Sequence, residues 1–301
     1  MNTQGIIGVI CCVLSAALYG LNAVIVKKLT LVASISSVLF FCGLFAAILM
    51  ACALKSRQKS LCPETPGRMK FLLLYGLLGF AMTTTLLQSS YLYLPVGTAT
   101  TIHYLFPLLV NLGGLIFFRE SLHKVTLVVL AGVLCGIIFL AGEKEGIQIF
   151  GIALAFASSI TWAFHMLYLD HSVLRDEPTL RMVFWQSLLC SGAGAILSVL
   201  RRESLVAGLR PIVLGGILLS ALCSNVFACG LLNVGIRRTG SAIASIVSVF
   251  EPISSIVFGG LLLKERLTGR QETGIVIILL SILVLLCFNA TGAHRNSTFK
   301  K

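Results

Sequence analysis

Long apolar runs recur along the whole chain, each of roughly 20 residues and separated by short polar connections. About 20 helical residues are enough to cross a hydrocarbon core of about 30 Å. Of the 301 residues, 57% are hydrophobic and 11% are charged, whereas soluble domains carry roughly 25% charged residues. A water-soluble fold of this size could not bury so much apolar surface. The pattern therefore predicts an all-α integral membrane protein rather than a β-barrel, whose segments would be short and alternating.

The apolar runs predict ten transmembrane helices, which end at charged or turn-forming residues. Their expected ranges are 5–26, 31–54, 71–91, 96–118, 125–141, 148–169, 180–200, 212–236, 241–263 and 273–288. A polar tail at 290–301 follows, and we expect it to be mobile.

Two of the runs carry a proline 13 residues before a glutamate. Residues 97–122 contain Pro107 and Glu120, and residues 240–267 contain Pro252 and Glu265, so both residues recur 145 positions later. Such a recurrence indicates that the chain contains two copies of one unit.

The first and sixth runs extend this repeat at an offset of 143, which aligns Tyr19 with Trp162 and Asn22 with His165. The near-constant offset predicts a first five-helix repeat at 1–142 and a second at 148–289. Because five is odd, the second copy enters the membrane from the opposite side, so we expect inverted-topology repeats around a central cavity.

The net charge of +12 does not indicate nucleic-acid binding, because Lys and Arg lie almost entirely in the connections between apolar runs. With the N-terminus inside, the inner connections and tail hold 14 of these residues and the outer ones hold 9. The count favours cytoplasmic N- and C-termini in a multi-pass protein of the plasma (inner) membrane.

This ten-helix frame contains two related signatures, Pro107…Arg-Glu-Ser-Leu and Glu-Pro252…Lys-Glu-Arg-Leu. It also contains the aromatic residues Tyr19 and Trp162, and the segment Ser-Tyr-Leu-Tyr-Leu-Pro-Val-Gly at 90–97. In these features the chain resembles the drug/metabolite transporter superfamily, in its EamA-domain branch. The resemblance implies a basket-like bundle whose cavity is lined by helices 1, 3, 4, 6, 8 and 9. It also implies that helices 5 and 10 form a peripheral scaffold and that helices 2 and 7 move little.

Glu251 is the sharpest candidate for function, because an ionisable residue in the middle of a membrane span is costly. No Lys or Arg occupies the middle of any predicted span, so no ion-pair partner is evident. A role in binding substrate or exchanging protons is one interpretation. The other is structural, with Glu251 capping backbone groups that Pro252 leaves free.

Pro107 and Pro252 are expected to act as hinges, because proline cannot donate to the carbonyl four residues earlier. These carbonyls belong to His103 and Ser248. The alternative is a packing kink without contact to a ligand.

The remaining candidates are polar or aromatic side chains on repeat-matched helix faces, which suit a planar or zwitterionic solute but also suit helix–helix packing. The full set of substrate or cavity residues is Tyr19, Asn22, Gln88, Tyr91, His103, Trp162, His165, Ser224, Asn225, Ser248 and Glu251.

Glu120 and Glu265 lie at helix ends beside basic residues, and we interpret them as structural signature residues that anchor the surface and could form gating salt bridges. The ten cysteines show no CxxC pair and no ligand spacing. We therefore expect no metal, no cofactor and no disulfide. The expected partners are a small-molecule substrate and membrane lipid, with no nucleic acid, and the protein is expected to be a monomer or a homodimer.

The favoured function is a secondary transporter that exports small metabolites such as amino acids by alternating access. Proton exchange and facilitated diffusion both stay open. One alternative is an exporter of cationic drug-like compounds, and another is a non-transporting membrane receptor or scaffold. An enzyme is not expected, because the sequence contains no HExxH motif, no phosphate loop and no Ser/Lys or paired-Asp arrangement.

Overall fold

The structure is a computed structural model that describes residues 3–94, 96–120, 124–140, 149–263 and 269–298. Every regular element in these residues is helical. In chain order they are α1 (Thr3–Leu29), α2 (Ile35–Ser56), α3 (Pro66–Leu74), the π-helix π1 (Tyr75–Ala81), α4 (Met82–Ser90), α5 (Val96–His103), α6 (Phe106–Phe118), α7 (Lys124–Leu140), α8 (Ile149–His171), a 3₁₀ turn (Val173–Asp176), α9 (Thr179–Arg201), α10 (Pro211–Ser220), the π-helix π2 (Ala221–Ala228), α11 (Cys229–Thr239), α12 (Ser241–Val247), α13 (Phe250–Leu263) and α14 (Gly269–Thr298).

Seven helical stretches in the described residues are long and apolar enough to cross a membrane, and three shorter apolar helices accompany them. Their outward faces expose large apolar side chains such as Ile6, Leu14 and Ile196. A helix satisfies its own backbone hydrogen bonds, which is what a segment surrounded by lipid requires. The all-α membrane class predicted from the sequence is therefore confirmed.

The helices begin and end within a few residues of most predicted positions, but two differences stand out. The third stretch begins at Pro66 rather than at residue 71, because proline is well accommodated in the first turn of a helix. The last helix continues to Thr298, through most of the tail that was predicted to be polar and mobile.

Two predicted helices are broken rather than continuous. The first break separates α5 from α6 at residues 104–105, and the second separates α12 from α13 at residues 248–249. Each break lies just before the proline of its copy, Pro107 or Pro252. In the second copy the Ser248 carbonyl accepts the backbone N–H of Glu251 at 3.0 Å. Proline has no N–H to donate to this carbonyl, so the N–H of the preceding residue donates to it instead, in a tighter turn.

The two halves of the chain pack with matching contacts. Helix α2 crosses α9, and α7 packs against α14. Helix α1 packs on α11 and α13, while α8 packs on α4 and α6. The two π-helices also occupy corresponding places, one in the third stretch of each half. The contacts named here thus pair off between the two halves, as expected for a duplicated unit.

Close approaches at two glycines show the same correspondence in atomic detail. A methyl group added at Gly8 would lie 2.6 Å from Thr239 Cγ2, and one added at Gly151 would lie 2.7 Å from Cβ of Tyr93. The start of α1 therefore lies beside the end of α11, and the start of α8 lies beside the turn that follows α4.

The bundle has two ends, called the first end and the second end. The first end is where α1 begins, and it carries the loop 57–65, Glu120, the turn 172–178 and Gly240. There Arg181 Nε donates to the Ser60 carbonyl at 3.0 Å and Trp185 Nε1 donates to the Leu61 carbonyl at 2.9 Å. The second end carries residues 30–34, 91–94 and 202–210, and Ser36 Oγ donates there to Glu203 Oε2 at 2.7 Å.

Candidate functional site

A stack of three aromatic rings lies in the middle of the bundle. The His165 ring on α8 lies between Tyr75, with centroids 4.2 Å apart, and Trp162, with centroids 4.7 Å apart and an interplanar angle of 3°. All three side chains are buried. Residues 162 and 165 lie on one face of α8 because they are three residues apart. Tyr75 is supplied by π1.

The Tyr75 hydroxyl joins this stack to α11. It donates to Asn233 Oδ1 at 2.7 Å and lies 2.9 Å from His165 Nε2. Because a phenol has a single hydrogen, this arrangement makes His165 Nε2 the donor to the Tyr75 oxygen. Among the described residues, His165 Nδ1 and Asn233 Nδ2 have no hydrogen-bond partner although both atoms are buried.

Glycine allows π1 to lie directly against the ring stack. A methyl group added at Gly79 would lie 2.7 Å from His165 Nδ1 and 3.2 Å from the His165 Cα atom. Gly76 lies in the same segment, and a methyl group added there would lie 3.0 Å from the Gln186 Cα atom on α9. Small residues at these two positions bring three helices together around Tyr75.

Glu251 lies in the first turn of α13, next to the break in this stretch, and its side chain is only partly buried. Tyr104, Tyr19 and Tyr91 lie close enough to its carboxyl group to interact with it electrostatically. No Lys, Arg or His forms a salt bridge with Glu251 in the described part of the chain. A carboxylate ringed by tyrosines and lacking a basic partner is suited to bind a cation.

Tyr19 connects the Glu251 region with the ring stack. Its ring is nearly perpendicular to that of Trp162, with centroids 6.2 Å apart and an interplanar angle of 85°. The two aromatic residues that the repeat aligns are therefore in direct contact across the two halves. Gly20, the next residue on α1, allows α13 to approach closely, because a methyl group there would lie 2.7 Å from the Glu251 carbonyl oxygen.

The other repeat-matched pair does not come together. Asn22 Oδ1 accepts the Ser220 hydroxyl at 2.6 Å, while its counterpart His165 belongs to the ring stack. Ser224 and Asn225 lie in π2, and the Ser224 hydroxyl is 2.9 Å from Asn225 Oδ1. The same hydroxyl is 2.9 Å from the Ser220 carbonyl oxygen, four residues earlier. These polar residues thus form a separate cluster on α1, the end of α10 and π2.

His103 makes a local hydrogen bond. Its Nδ1 lies 2.9 Å from Ser158 Oγ, whose own hydrogen is donated to the Ala155 carbonyl at 2.6 Å. His103 Nδ1 is therefore the donor. Pro107, the predicted hinge of the first half, is buried, and its carbonyl accepts Asn111 Nδ2 at 2.8 Å. Ser248, the repeat counterpart of His103, donates to the Ala244 carbonyl at 2.8 Å.

The exposure of the candidate residues changes from one end of the bundle to the other. On the side of the first end, Tyr75, His165, Asn233 and Ser245 are each 0% exposed. On the side of the second end the polar and aromatic candidates are partly exposed. They are Tyr19, Asn22, Gln88, Tyr91 and Glu251.

Glu120 is at the end of α6 and pairs with His171 Nε2 at 3.1 Å. Ligand-type atoms of Glu120, His171 and Asp170 lie within 4.8 Å of one another, as they would in a metal site. However, the two Asp170 oxygens are already used by the Ser241 N–H at 2.6 Å and by Arg175 at 3.3 Å, so we interpret the group as an ion-pair cluster. The other signature residue, Glu265, lies outside the described residues.

Three central residues were not among the predicted site residues: Tyr75, Tyr104 and Asn233. Asn233 could have been found, because it stands 145 positions after Gln88 and is therefore its repeat counterpart. Tyr104 directly follows His103 at the helix break. Tyr75 carries no comparable signal, since its importance comes from contacts with α8 and α11, which are distant in sequence.

Comparison with known proteins identifies relatives of this arrangement. A profile described as the EamA-like transporter family matches residues 6–142 and 149–287. The chain is 26% identical over 205 residues to an uncharacterized transporter of Synechocystis sp., a match covering 66% of this chain and 61% of that protein. It is 23% identical over 232 residues to the "Probable amino-acid metabolite efflux pump" of Escherichia coli K12, covering 69% of this chain and 75% of that protein.

A solved crystal structure shares the fold, with a TM-score of 0.79 at 16% sequence identity over 93% of this chain and 96% of the other. The family profile covers both halves of the chain almost completely. The helical membrane fold, its two matching halves and this profile agree, and the chain belongs to the EamA-like transporter family.

Proposed function

We propose that the protein is a secondary transporter of the cytoplasmic membrane that exports small metabolites bearing an ammonium group, such as amino acids. In this proposal ten membrane helices form two inverted five-helix repeats, and both termini are cytoplasmic. Transport proceeds by alternating access to a site formed by Glu251, Tyr19, Tyr91 and Trp162.

The observation that carries this proposal is the environment of Glu251. An uncompensated carboxylate inside a membrane protein is costly, so its presence favours a functional counter-charge. The tyrosines around it and the indole ring of Trp162 beyond Tyr19 add aromatic rings, whose faces attract cations. A solute with an ammonium group would supply the missing positive charge.

Inverted repeats are supported by the way the two halves meet. Helix α1 begins beside the end of α11, and α8 begins beside the turn after α4. Three membrane crossings separate the start of α1 from that turn, so α8 would begin on the opposite side from α1. Such repeats give two equivalent ways of opening the bundle, one toward each face of the membrane.

The exposure gradient supports access from the second end. His165 and Asn233 are fully buried on one side, whereas Glu251 and Tyr19 are partly exposed on the other. A substrate approaching from the second end would therefore reach Glu251 first. With cytoplasmic termini, this state would be open to the outside.

Export of amino acids is also supported by the name of the Escherichia coli relative, a "Probable amino-acid metabolite efflux pump". Organic cations are the second candidate class, because Glu251 and its tyrosines would bind a drug-like cation by the same chemistry. Proton exchange at Glu251 is compatible with either class of solute.

The test is efflux from proteoliposomes with a panel of amino acids, organic cations and neutral sugars, with and without a pH gradient. We expect amine-bearing solutes to be transported and Glu251→Gln to lower their kcat/KM about tenfold or more, since a charge-assisted contact is lost. Glu272→Gln, on the exposed start of α14, is the matched control and should leave transport unchanged.

Absence of flux for every solute would overturn the transporter and favour a receptor or scaffold. Equal efflux of charged and neutral solutes by wild type and Glu251→Gln would overturn the role of Glu251. A rate independent of the pH gradient would exclude proton coupling while leaving transport itself intact.

A further inference from the structure

We propose that a cavity at the first end binds the headgroup of an anionic phospholipid. In this proposal Lys55 and Lys59 hold the lipid phosphate, and an acyl chain follows the outer face of α2 along Ile48 and Cys52. Helix α2 contributes no residue to the transport site, so the inference goes beyond the proposed function.

The chain turns back directly after α2 and brings the two lysines to one place. Gln58 has a φ of +53°, in the left-handed region that reverses the chain at many helix ends. The Lys59 N–H then donates to the Leu54 carbonyl at 2.9 Å. The backbone of Lys59 therefore lies against the last turn of α2, which also carries Lys55.

The loop that follows is anchored to α9. Arg181 Nε donates to the Ser60 carbonyl at 3.0 Å, and Trp185 Nε1 donates to the Leu61 carbonyl at 2.9 Å. Arg181 is itself paired with the buried carboxylate of Glu177, four residues earlier. Two consecutive carbonyls of the loop are thus held by side chains of α9, and residues 59–61 keep a defined position beside α2.

A cavity of about 380 Å³ lies between the end of α2 and this loop. Its volume is within the range of small-molecule sites, roughly 300–1,000 Å³. Apolar side chains and two lysines border it together, which matches the junction of a lipid headgroup with its acyl chains better than it matches a free anion. The lining residues are Ala51, Cys52, Lys55, Lys59, Ser60 and Leu61.

The depth of the cavity matches the boundary of the membrane. Helix α2 has 22 residues, about the number that crosses the hydrocarbon core, so its last turn reaches the headgroups. Ile48 is 51% exposed, and Cys52 and Lys55 follow it on the same exposed face at spacings of four and three residues. Trp185, which holds the loop, is of the residue type that concentrates at this boundary.

The charge around the cavity favours an anionic ligand. Residues 55–70 contain five Lys and Arg residues and a single acidic residue, Glu64. In the described part of the chain, neither Lys55 nor Lys59 forms a salt bridge with a carboxylate. The cavity lining contains no acidic residue that could bind the choline group of a zwitterionic lipid. Two lysine ammonium groups at the membrane surface attract the phosphate of an anionic lipid instead.

The binding can be measured on the full-length protein in a neutral detergent. The protein is titrated with phosphatidylglycerol, with phosphatidylcholine of the same acyl chains, or with inorganic phosphate. Native mass spectrometry counts the bound lipids, and thermal unfolding reports the stabilisation that a ligand of the folded state confers. We expect phosphatidylglycerol to occupy one site more tightly than any other and to raise the unfolding temperature. Phosphatidylcholine and inorganic phosphate should do neither at the same concentration.

Substitution of the two lysines should weaken this binding selectively. Lys55→Gln and Lys59→Gln should each lower the affinity of the tight site about fivefold, the order expected for one lysine at an anionic lipid. Both side chains are exposed, so the variants should fold. Arg57→Gln is the near control, because Arg57 is exposed in the same turn but does not line the cavity. Lys28→Gln is the far control, at the exposed end of α1.

Both controls should keep an affinity within about twofold of wild type. Equal binding of the two phospholipids would overturn the proposal. An equal loss in Arg57→Gln and in the two lysine variants would also overturn it, because it would indicate diffuse attraction by the loop rather than a site. Stabilisation by inorganic phosphate as strong as that by phosphatidylglycerol would exclude the lipid as the occupant. The measurement needs no transported solute, so its outcome does not depend on the proposed function.

Discussion

Tyr75 and His165 are joined twice, through rings stacked with centroids 4.2 Å apart and through a hydroxyl that lies 2.9 Å from the imidazole Nε2. The same hydroxyl binds Asn233 at 2.7 Å. One phenol therefore connects π1, α8 and α11, which belong to both halves of the chain. The buried half of the site depends on this one group for its hydrogen bonding.

Replacing Tyr75 with Phe should test this dependence. The substitution keeps the ring stack but leaves His165 Nε2 and Asn233 Oδ1 without partners in a fully buried place, which costs about 1–3 kcal/mol for such a group. We expect a lower unfolding temperature in detergent and slower transport. Tyr168→Phe is the control, because Tyr168 also lies on α8 and stacks on another ring, that of Phe71. Equal losses of stability in the two variants would contradict the prediction.

Gly79 should tolerate no side chain, because its missing Cβ is the space that His165 occupies. Gly79→Ala would place a methyl 2.7 Å from His165 Nδ1 and 3.2 Å from its Cα, so α8 itself must shift. Overpacking of this kind costs about 1–3 kcal/mol. The measurement is thermal unfolding together with the KM for the transported solute.

Gly192→Ala provides the comparison, since a methyl group at that helical position meets nothing within 4 Å. This variant should be as stable as wild type or gain up to about 1 kcal/mol from better helix propensity. If the two alanine variants behave alike, the close approach at Gly79 has no energetic consequence.

The break before Pro252 should be needed for transport more than for folding. Pro252→Ala adds an N–H that competes with Glu251 for the Ser248 carbonyl, now bonded at 3.0 Å, and it favours a continuous helix. We expect turnover to fall on the order of tenfold, because hinge substitutions commonly alter kinetics, while the unfolding temperature stays level or rises.

Pro211→Ala serves as the matched control for this experiment. Pro211 occupies the exposed start of α10, where the N–H of the replacement needs no partner in the helix. Transport should be unaffected there. Normal turnover in Pro252→Ala would show that the helix break has no part in the cycle.

The crossing of α2 and α9 should behave as a scaffold. A methyl group at Gly43 would lie 2.6 Å from the Ser187 carbonyl oxygen and 2.9 Å from the Ser191 Cα, so Gly43→Ala should destabilise the protein by about 1–3 kcal/mol. The KM of the remaining folded protein should not change, since neither helix carries a proposed ligand contact. Gly215→Ala, where the added methyl meets nothing within 4 Å, should leave both quantities unchanged, and a KM shift in Gly43→Ala alone would show that the crossing moves during transport.

Much of the architecture could be predicted from the sequence, because membrane helices are specified locally. Apolar length defines a span, and charged or turn-forming residues define its ends. The helix breaks were foreseen near Pro107 and Pro252, although the structure places them two to four residues earlier, where the chain turns more tightly. The π-helices had no such local signal. In π1, Gly76 and Gly79 pack closely against α9 and α8, which are distant in sequence.

The candidate site was predictable only in part. The repeat aligned Tyr19 with Trp162, and the structure brings these two rings into contact. It also aligned Asn22 with His165, but these side chains have different surroundings. A duplication preserves the positions of side chains, whereas their partners depend on the residues that have diverged around them.

The sequence by itself determined that the chain is a helical membrane protein, that it is duplicated, and that a lone carboxylate stands in its interior at Glu251. These properties follow from hydropathy, spacing and charge, which are summed along neighbouring residues. Only the tertiary structure decided that Tyr75 and Asn233 complete the buried site and that Asp170 binds the start of α12. Those contacts join residues separated by 71 to 158 positions, and they exist only after the helices have packed, because no local pattern specifies which polar faces meet.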